Sequence, residues 1–307
     1  MLALASGFSL SATHATLVAE KFTADPSLDG WQVFGDTNLF HWNATNQNLE
    51  VTWDSSQTNS YFYHPLGATY SKTNDFLVQF DLNLTDATAT GYFELAIGLC
   101  NYADATRASF SRANVASPNL FEFDYYPDGP DSWGPSIDAT LIDANIKFFF
   151  CYDATQPLAT NVTYHIVLLH SAGTSTITGT VFTNGQIFTS LPNIFAWGAN
   201  DFSLDTLAIC NYTTTDDSNG DALLAHGTVD NFAFASPLPI GLVQAVAAGQ
   251  VQFTSDTNWL YTLEQTTDFQ TWATAASASL GNGTNLILQA TNPPSDRAFY
   301  RVGAALP

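Results

Sequence analysis

Glu122 and Asp124 are the residues whose type and spacing could do chemistry. Carboxylates at i and i+2 of an extended segment project from one face, roughly 6–7 Å apart. At that spacing they can share a hard cation or join a hydrogen-bonded network, and burying them uncompensated is costly. Around them Phe121, Phe123 and Tyr125 alternate with Glu122, Asp124 and Tyr126, which predicts a buried strand with aromatics on one face and polar groups on the other. Pro127 ends that strand, and Asp128, Gly129, Pro130 and Asp131 form a turn that keeps further carboxylates close. Oxygen donors of this kind suit calcium.

Other chemistries are weaker. Asp217, Asn219 and Asp221 alternate as calcium-loop ligands do, but Ala222 stands where the turn glycine belongs and no Glu occupies the twelfth position. His41, His64, His165, His170 and His226 are scattered without zinc or triad spacing, which reads as ordinary hydrogen-bonded histidine. Most of the tryptophans fill a core; Trp133, in the turn after the acidic strand, is the one placed to stack on a sugar ring.

Composition bounds the partners. Seven Lys and Arg against 28 Asp and Glu give a formal charge of −21, which repels nucleic acid and anionic membrane surfaces. The apolar fraction of 46%, rich in Phe and Tyr, provides for a large core. Residues 1–15 resemble the apolar core and small-residue cleavage site of an export signal, though without a basic start, and predict a secreted or cell-surface protein. No later apolar run is long enough to span a membrane. Three cysteines, Cys100, Cys151 and Cys210, do not make a disulfide framework and read as buried thiols, with a Cys100–Cys210 bridge as the other reading.

The elements that must position these residues are strands. Helical periodicity is nearly absent, while short alternating or apolar runs recur between turn residues, as in a two-sheet sandwich. Phe76–Leu84 alternates, with Asp81 and Asn83 on a wet face; Phe148–Tyr152 and Ile166–Leu169 are continuous apolar runs expected at the centre; Ala108–Arg112 is a further expected strand. Asn184-Gly185 marks a tight hairpin. Prolines at 237 and 239 stiffen a linker over residues 236–241, which divides residues 16–235 from a small β-sandwich module over 242–307.

In the order of its features the segment 17–236 resembles the L-type (legume-type) lectins of the concanavalin A-like lectin/glucanase superfamily. The resemblance is carried by Glu122-Phe123-Asp124-Tyr125-Tyr126-Pro127-Asp128, like the lectin metal strand, and by Gly227-Thr228-Val229-Asp230-Asn231-Phe232-Ala233-Phe234, like the closing strand of such jelly rolls. It implies an all-β, two-sheet jelly-roll sandwich in which Glu122 and Asp124 face a transition metal, while Asp124, the Tyr126 carbonyl and Asp128 hold calcium. No histidine lies between Asp128 and Tyr164, so the manganese half of that site is not expected; Asp131 or Asp138 stands in for the lectins' further Asp. The upstream sugar-holding loop is matched only by Ala89-Thr90-Gly91, without its Asp. The related glucanases carry Glu-x-Asp-x-x-Glu, and here Pro127 replaces the second Glu. The tail, with Asp268-Phe269-Gln270-Thr271-Trp272 and Phe299-Tyr300-Arg301-Val302, resembles small C-terminal β-modules of secreted Verrucomicrobia and Planctomycetes proteins.

These readings converge on an extracellular, non-catalytic carbohydrate-binding or adhesion protein that takes a glycan or cell-surface component, with Trp133, Thr90, Gly91 and Asp131 as ligand-binding residues and calcium ordering the loops. Two alternatives stand beside it. One is a structural subunit of a surface layer or filament that self-assembles by strand addition. The other is an atypical glycoside hydrolase or lyase, which requires two carboxyls at catalytic separation in a cleft.

Overall fold

A computed structural model describes residues 16–112, 116–128, 135–153, 156–174, 177–191, 201–214, 220–236, 243–257, 259–267, 271–294 and 298–305. Contacts divide the chain between Ser236 and Pro237 into two compact units.

The larger unit holds β1 (Thr16–Glu20), β2 (Gln32–Phe34), β3 (Phe40–Asn43), β4 (Asn48–Asp54), β5 (Ser60–Tyr70), β6 (Phe76–Thr90), β7 (Leu95–Cys100), a single helical turn α1 (Tyr102–Ala105), β8 (Leu120–Tyr126), β9 (Ser136–Ile142), β10 (Phe148–Asp153), β11 (Thr163–His170), β12 (Ile177–Thr183), β13 (Gln186–Leu191), β14 (Leu204–Asn211) and β15 (Ala222–Ser236). They form two antiparallel sheets. One has the order β13-β12-β11-β6-β15-β4-β3, with β1 also paired to β15; the other runs β10-β9-β8-β7-β14-β5-β2. This is an all-β jelly-roll sandwich, its two sheets expected from the recurring short apolar runs and its jelly roll from the resemblance.

Aromatic rings join the layers. Phe80 of β6 meets Phe123 of β8 at 5.8 Å between centroids, and Phe76 meets Phe121 at 5.0 Å. The aromatic face of the acidic strand is therefore the core face, and burying each such ring contributes roughly 1.5–3 kcal/mol. β4 alternates between buried and half-buried residues, and Asp81 and Asn83 of β6 are half-buried, the wet face expected of that strand; β11 alternates too, although its Ile166–Leu169 run is continuously apolar. β7, β8 and β9 differ: every residue of each is buried. Something covers their second face.

The cover is the segment between β7 and β8. Ala108–Arg112, expected as a strand, is not one; it has only a Ser111–Ala116 bridge. Ala108 and Ser109 are exposed, while Phe110, Ser111 and Arg112 are buried, and Arg112 reaches the outer face of the second sheet. A second expectation is also corrected: β10, with its Phe148–Tyr152 run, is an end strand of its sheet rather than central. An apolar run does not by itself report a strand's position within its sheet. The Asn184-Gly185 turn has φ of 50° and 71° and joins paired Thr183 and Gln186, as expected of that dipeptide. Cys100 lies opposite Thr206 and Cys210 opposite Ala96 on the β7–β14 ladder; both are buried free thiols, four ladder positions apart.

The smaller unit contains β16 (Gln244–Ala247), β17 (Gln250–Thr254), β18 (Leu260–Thr266), β19 (Ala273–Leu280), β20 (Asn285–Gln289) and β21 (Phe299–Ala305). They make two three-stranded sheets, β16-β17-β20 and β19-β18-β21. Its core includes Val251, Phe253, Trp259, Tyr261, Leu263 and Leu288.

Candidate functional site

Glu122 and Asp124 lie on the outer face of the second sheet, opposite the aromatics, and are wholly buried. Ladder register sets their neighbours. Asp124 is opposite Asp138 on β9 and Ala96 on β7; Glu122 is opposite Thr140 and Gly98. A Cβ at Gly98 would fall 2.1 Å from the Phe121 carbonyl oxygen, so close strand packing demands glycine there. With Ala96 it leaves room for a large side chain above the face.

Arg112 fills that room. Its guanidinium is 2.9 Å from Glu94, 3.1 Å from Asp124 and 3.5 Å from Glu122, and its side chain is only 5% exposed. The Glu122 approach is a charge contact and not an aligned hydrogen bond, since Arg112 Nε and Glu122 Oε2 both lack a hydrogen-bond partner. Tyr212 donates its hydroxyl to Glu122, and its ring lies 5.6 Å from the guanidinium carbon. The covering segment is anchored by the Tyr61 hydroxyl on the Ala105 carbonyl at 2.9 Å and by Asn59 Nδ2 on the Phe110 carbonyl at 3.3 Å.

One guanidinium among Glu94, Glu122, Asp124 and Asp138 cannot neutralise all four, so protons carry part of the balance. Burial raises the Glu122 carboxyl, Asp124 raises it further, and Arg112 opposes both. Burial also raises Asp124 against the pull of Arg112. Asp138 is pushed up to about 8 by burial and by Asp124 and Glu94. Burial works against the charge of Arg112, but Glu94, Asp124 and Glu122 outweigh it and keep the guanidinium ionised. The unpartnered oxygens Asp124 Oδ1 and Asp138 Oδ1 belong to directly opposed residues, where a proton on one carboxyl can serve the other.

The metal set implied by the resemblance does not fit these residues. Arg112 makes ion contacts with one oxygen of Glu122 and one of Asp124, which places a positive charge where the metal would sit, and Asp128 lies in the exposed bend past the strand. Among the described residues no group of three or more His, Cys, Asp or Glu side chains is arranged to hold a metal ion. Asp217 and Asn219 lie outside the described residues, as do Asp131 and Trp133.

A different arrangement forms where β6 ends. Thr90 pairs with Ala222, the first residue of β15, so the residues just beyond, Gly91 and Asp221, meet. Gly91 has φ of +75°, and a Cβ on it would stand 1.8 Å from Asp221 Oδ1, so both backbone and contact require glycine. The next residue, Tyr92, stacks its ring flat on Tyr126 of β8, centroids 4.1 Å apart and planes 6° apart. Tyr126 is buried beneath it while Tyr92 stays 36% exposed. Thus Thr90 and Gly91 come together with Asp221, which sequence reading offers only as a weak calcium ligand, and Tyr92, which it misses, follows directly. An aromatic directly after the Thr-Gly pair is the signal that could have found it.

A cleft of about 360 Å³ lies elsewhere on this sheet, lined by residues including Phe34, Asn59, Arg107, Phe110 and Thr213. Its polar groups serve its own walls: Asn59 donates to the Phe110 carbonyl and accepts from the Thr213 amide, and Arg107 pairs with Asp104 at 3.3 Å. Histidines likewise bond to neighbours within the fold. His165 bonds Asp81, His226 bonds Asp86, and buried His170 lies 2.8 Å from the Asn74 carbonyl.

No family model matches the chain, and no curated protein matches it. Solved structures do. A legume lectin-like domain from Entamoeba histolytica is similar at 10% identity over 71% of this chain and 95% of its own, with a TM-score of 0.42. Winged bean acidic lectin, complexed with methyl-α-D-galactose, is similar at 11% identity over 72% of this chain and 98% of its own, TM-score 0.43. The alginate lyase Aly36B is similar at 8% identity over 72% of this chain and 97% of its own, TM-score 0.35. At these identities the likeness says nothing of function.

Proposed function

We propose that the larger unit binds carbohydrate without catalysis, outside the cell, at the rim formed by Thr90, Gly91, Tyr92 and Asp221. The observation that carries this reading is the partly exposed Tyr92 ring, stacked flat on Tyr126 and next in sequence to the Gly91 that meets Asp221. A pyranose offers C–H groups on one face and hydroxyls at its edge. A rigid aromatic with an adjacent acceptor matches that chemistry, and orienting polar groups among aromatics are usual in small-ligand sites.

Against hydrolysis stands the condition of the acids. A glycosidase needs two accessible carboxyls flanking a bond. Glu122 and Asp124 are sealed beneath Arg112 and committed to it. The acidic surface and the signal-like segment support an extracellular setting.

Glycan-array binding of the full chain, beside Tyr92→Ala and Asp221→Asn, tests the reading. Binding should fall at least about tenfold in each variant, the loss of roughly 1.4 kcal/mol or more of contact. Wild-type silence across the array, or equal binding by both variants, would sink it.

A further inference from the structure

We infer that Arg112 is a tethered cation in the place where the lectin resemblance puts metal ions, so that the acidic strand is complete without a divalent ion. This stands apart from the carbohydrate reading, since it concerns what neutralises the strand and not what the rim binds.

Three features carry it. The guanidinium reaches Glu94, Glu122 and Asp124 at once, at 2.9, 3.5 and 3.1 Å, from a side chain with 5% exposure. Delivery of that side chain is built into the fold. The segment after β7 starts on an Asn101 cap, is tied by the Tyr102 amide to Asp205 at 2.9 Å and by the Tyr61 hydroxyl to the Ala105 carbonyl, and closes on the Ser111–Ala116 bridge. Gly98 and Ala96 keep the face beneath low enough to receive it, and Tyr212 backs it from the next strand.

A calcium ion needs six to eight oxygens at about 2.3–2.6 Å. Placed on Glu122 and Asp124 it would lie within a few ångströms of a buried guanidinium, where like charges repel strongly. The donor set is also short, with no metal-holding group of three among the described residues. An arginine supplies one positive charge and directional donors where an ion would supply two charges, and the deficit agrees with carboxyls that keep their protons. The exchange makes a reciprocal statement: with Arg112 removed, the same carboxylates become a cation seat.

The experiment uses the full chain, thermal melting in EDTA or in calcium chloride, and terbium luminescence sensitised by the neighbouring tyrosines Tyr92, Tyr126 and Tyr212. Wild-type protein should melt within about 1 °C in the two buffers, whereas a calcium site at saturation would separate them by roughly 5 °C or more. Arg112→Ala should melt lower by roughly 10 °C in EDTA, recover part of that in calcium, and gain saturable terbium binding that Asp124→Asn removes.

Wild-type terbium binding abolished by Asp124→Asn, or wild-type melting that depends on calcium and loses that dependence with Asp124→Asn, would overturn the inference. A wild-type signal that survives Asp124→Asn belongs to other acids and upholds it. If Arg112→Ala does not fold, the wild-type arm with its Asp124→Asn control decides. If it folds and calcium does nothing, the exchange is refuted.

Discussion

Two groups of acids lie near the ends of β8 and differ in what holds them. In the interior, Glu94, Glu122, Asp124 and Asp138 gather around Arg112 under a folded-over segment. At the rim, Asp221 is half-buried against Gly91, beside a tyrosine with one face on the protein. Tyr126 belongs to both, since its ring lies over the interior face and under Tyr92. The contrast teaches that a carboxylate's chemistry follows from its cover. Sealed with a cation it has a structural role; half-buried at a rim it stays within reach of solvent.

The contrast breaks most readily at Arg112. Arg112→Met leaves buried carboxylates without their cation and should lower stability by about 3–5 kcal/mol in denaturant titration, while a loss below about 1 kcal/mol would mean that the cluster is not held by its charge. Phe123→Ala on the opposite face of the same strand should cost about 3–5 kcal/mol, because the ring fills the space between sheets. A comparable loss at Tyr92 would erase the distinction between the two regions.

Acidity sharpens it. Asp138 has a folded-state carboxyl raised to about 8 from 3.8, so between those values the folded protein binds more protons than the unfolded chain. Its contribution to stability is full below about pH 4 and is lost as pH rises toward 8. Asp138→Asn should flatten this segment of the pH–stability curve, measured by urea unfolding; an unchanged slope would show that the proton resides elsewhere.

The smallest structural effects are expected at the rim. Tyr92→Ala and Asp221→Asn should each change stability by about 1 kcal/mol or less, as partly exposed positions do. Their effect should appear in glycan binding instead. Gly91→Ala lies between: its φ of +75° and the Asp221 contact predict a loss of about 1–2 kcal/mol together with binding.

Much of this was legible in the chain. The period of two in Phe121–Tyr126 placed the aromatics inward and the acids outward, and Asn184-Gly185 placed a hairpin, because side-chain alternation and positive-φ tolerance are local properties. The scarcity of basic residues made each cation notable, yet nothing local linked Arg112 to Glu94, Glu122 and Asp124. That link needs a loop to fold back over a sheet, and Ala108–Arg112 read as another strand since burial of alternate residues looks the same in a strand and in a packed cover. Likewise Asp221 read only as a weak calcium ligand, although β15 begins opposite the end of β6 and so delivers it to Gly91. Sequence alone determined that the chain is built of strands and which face the Phe121–Tyr126 strand presents. Only the tertiary structure decided which acids are covered, by what charge, and which remain at the surface, because those outcomes depend on contacts between segments that no local pattern links.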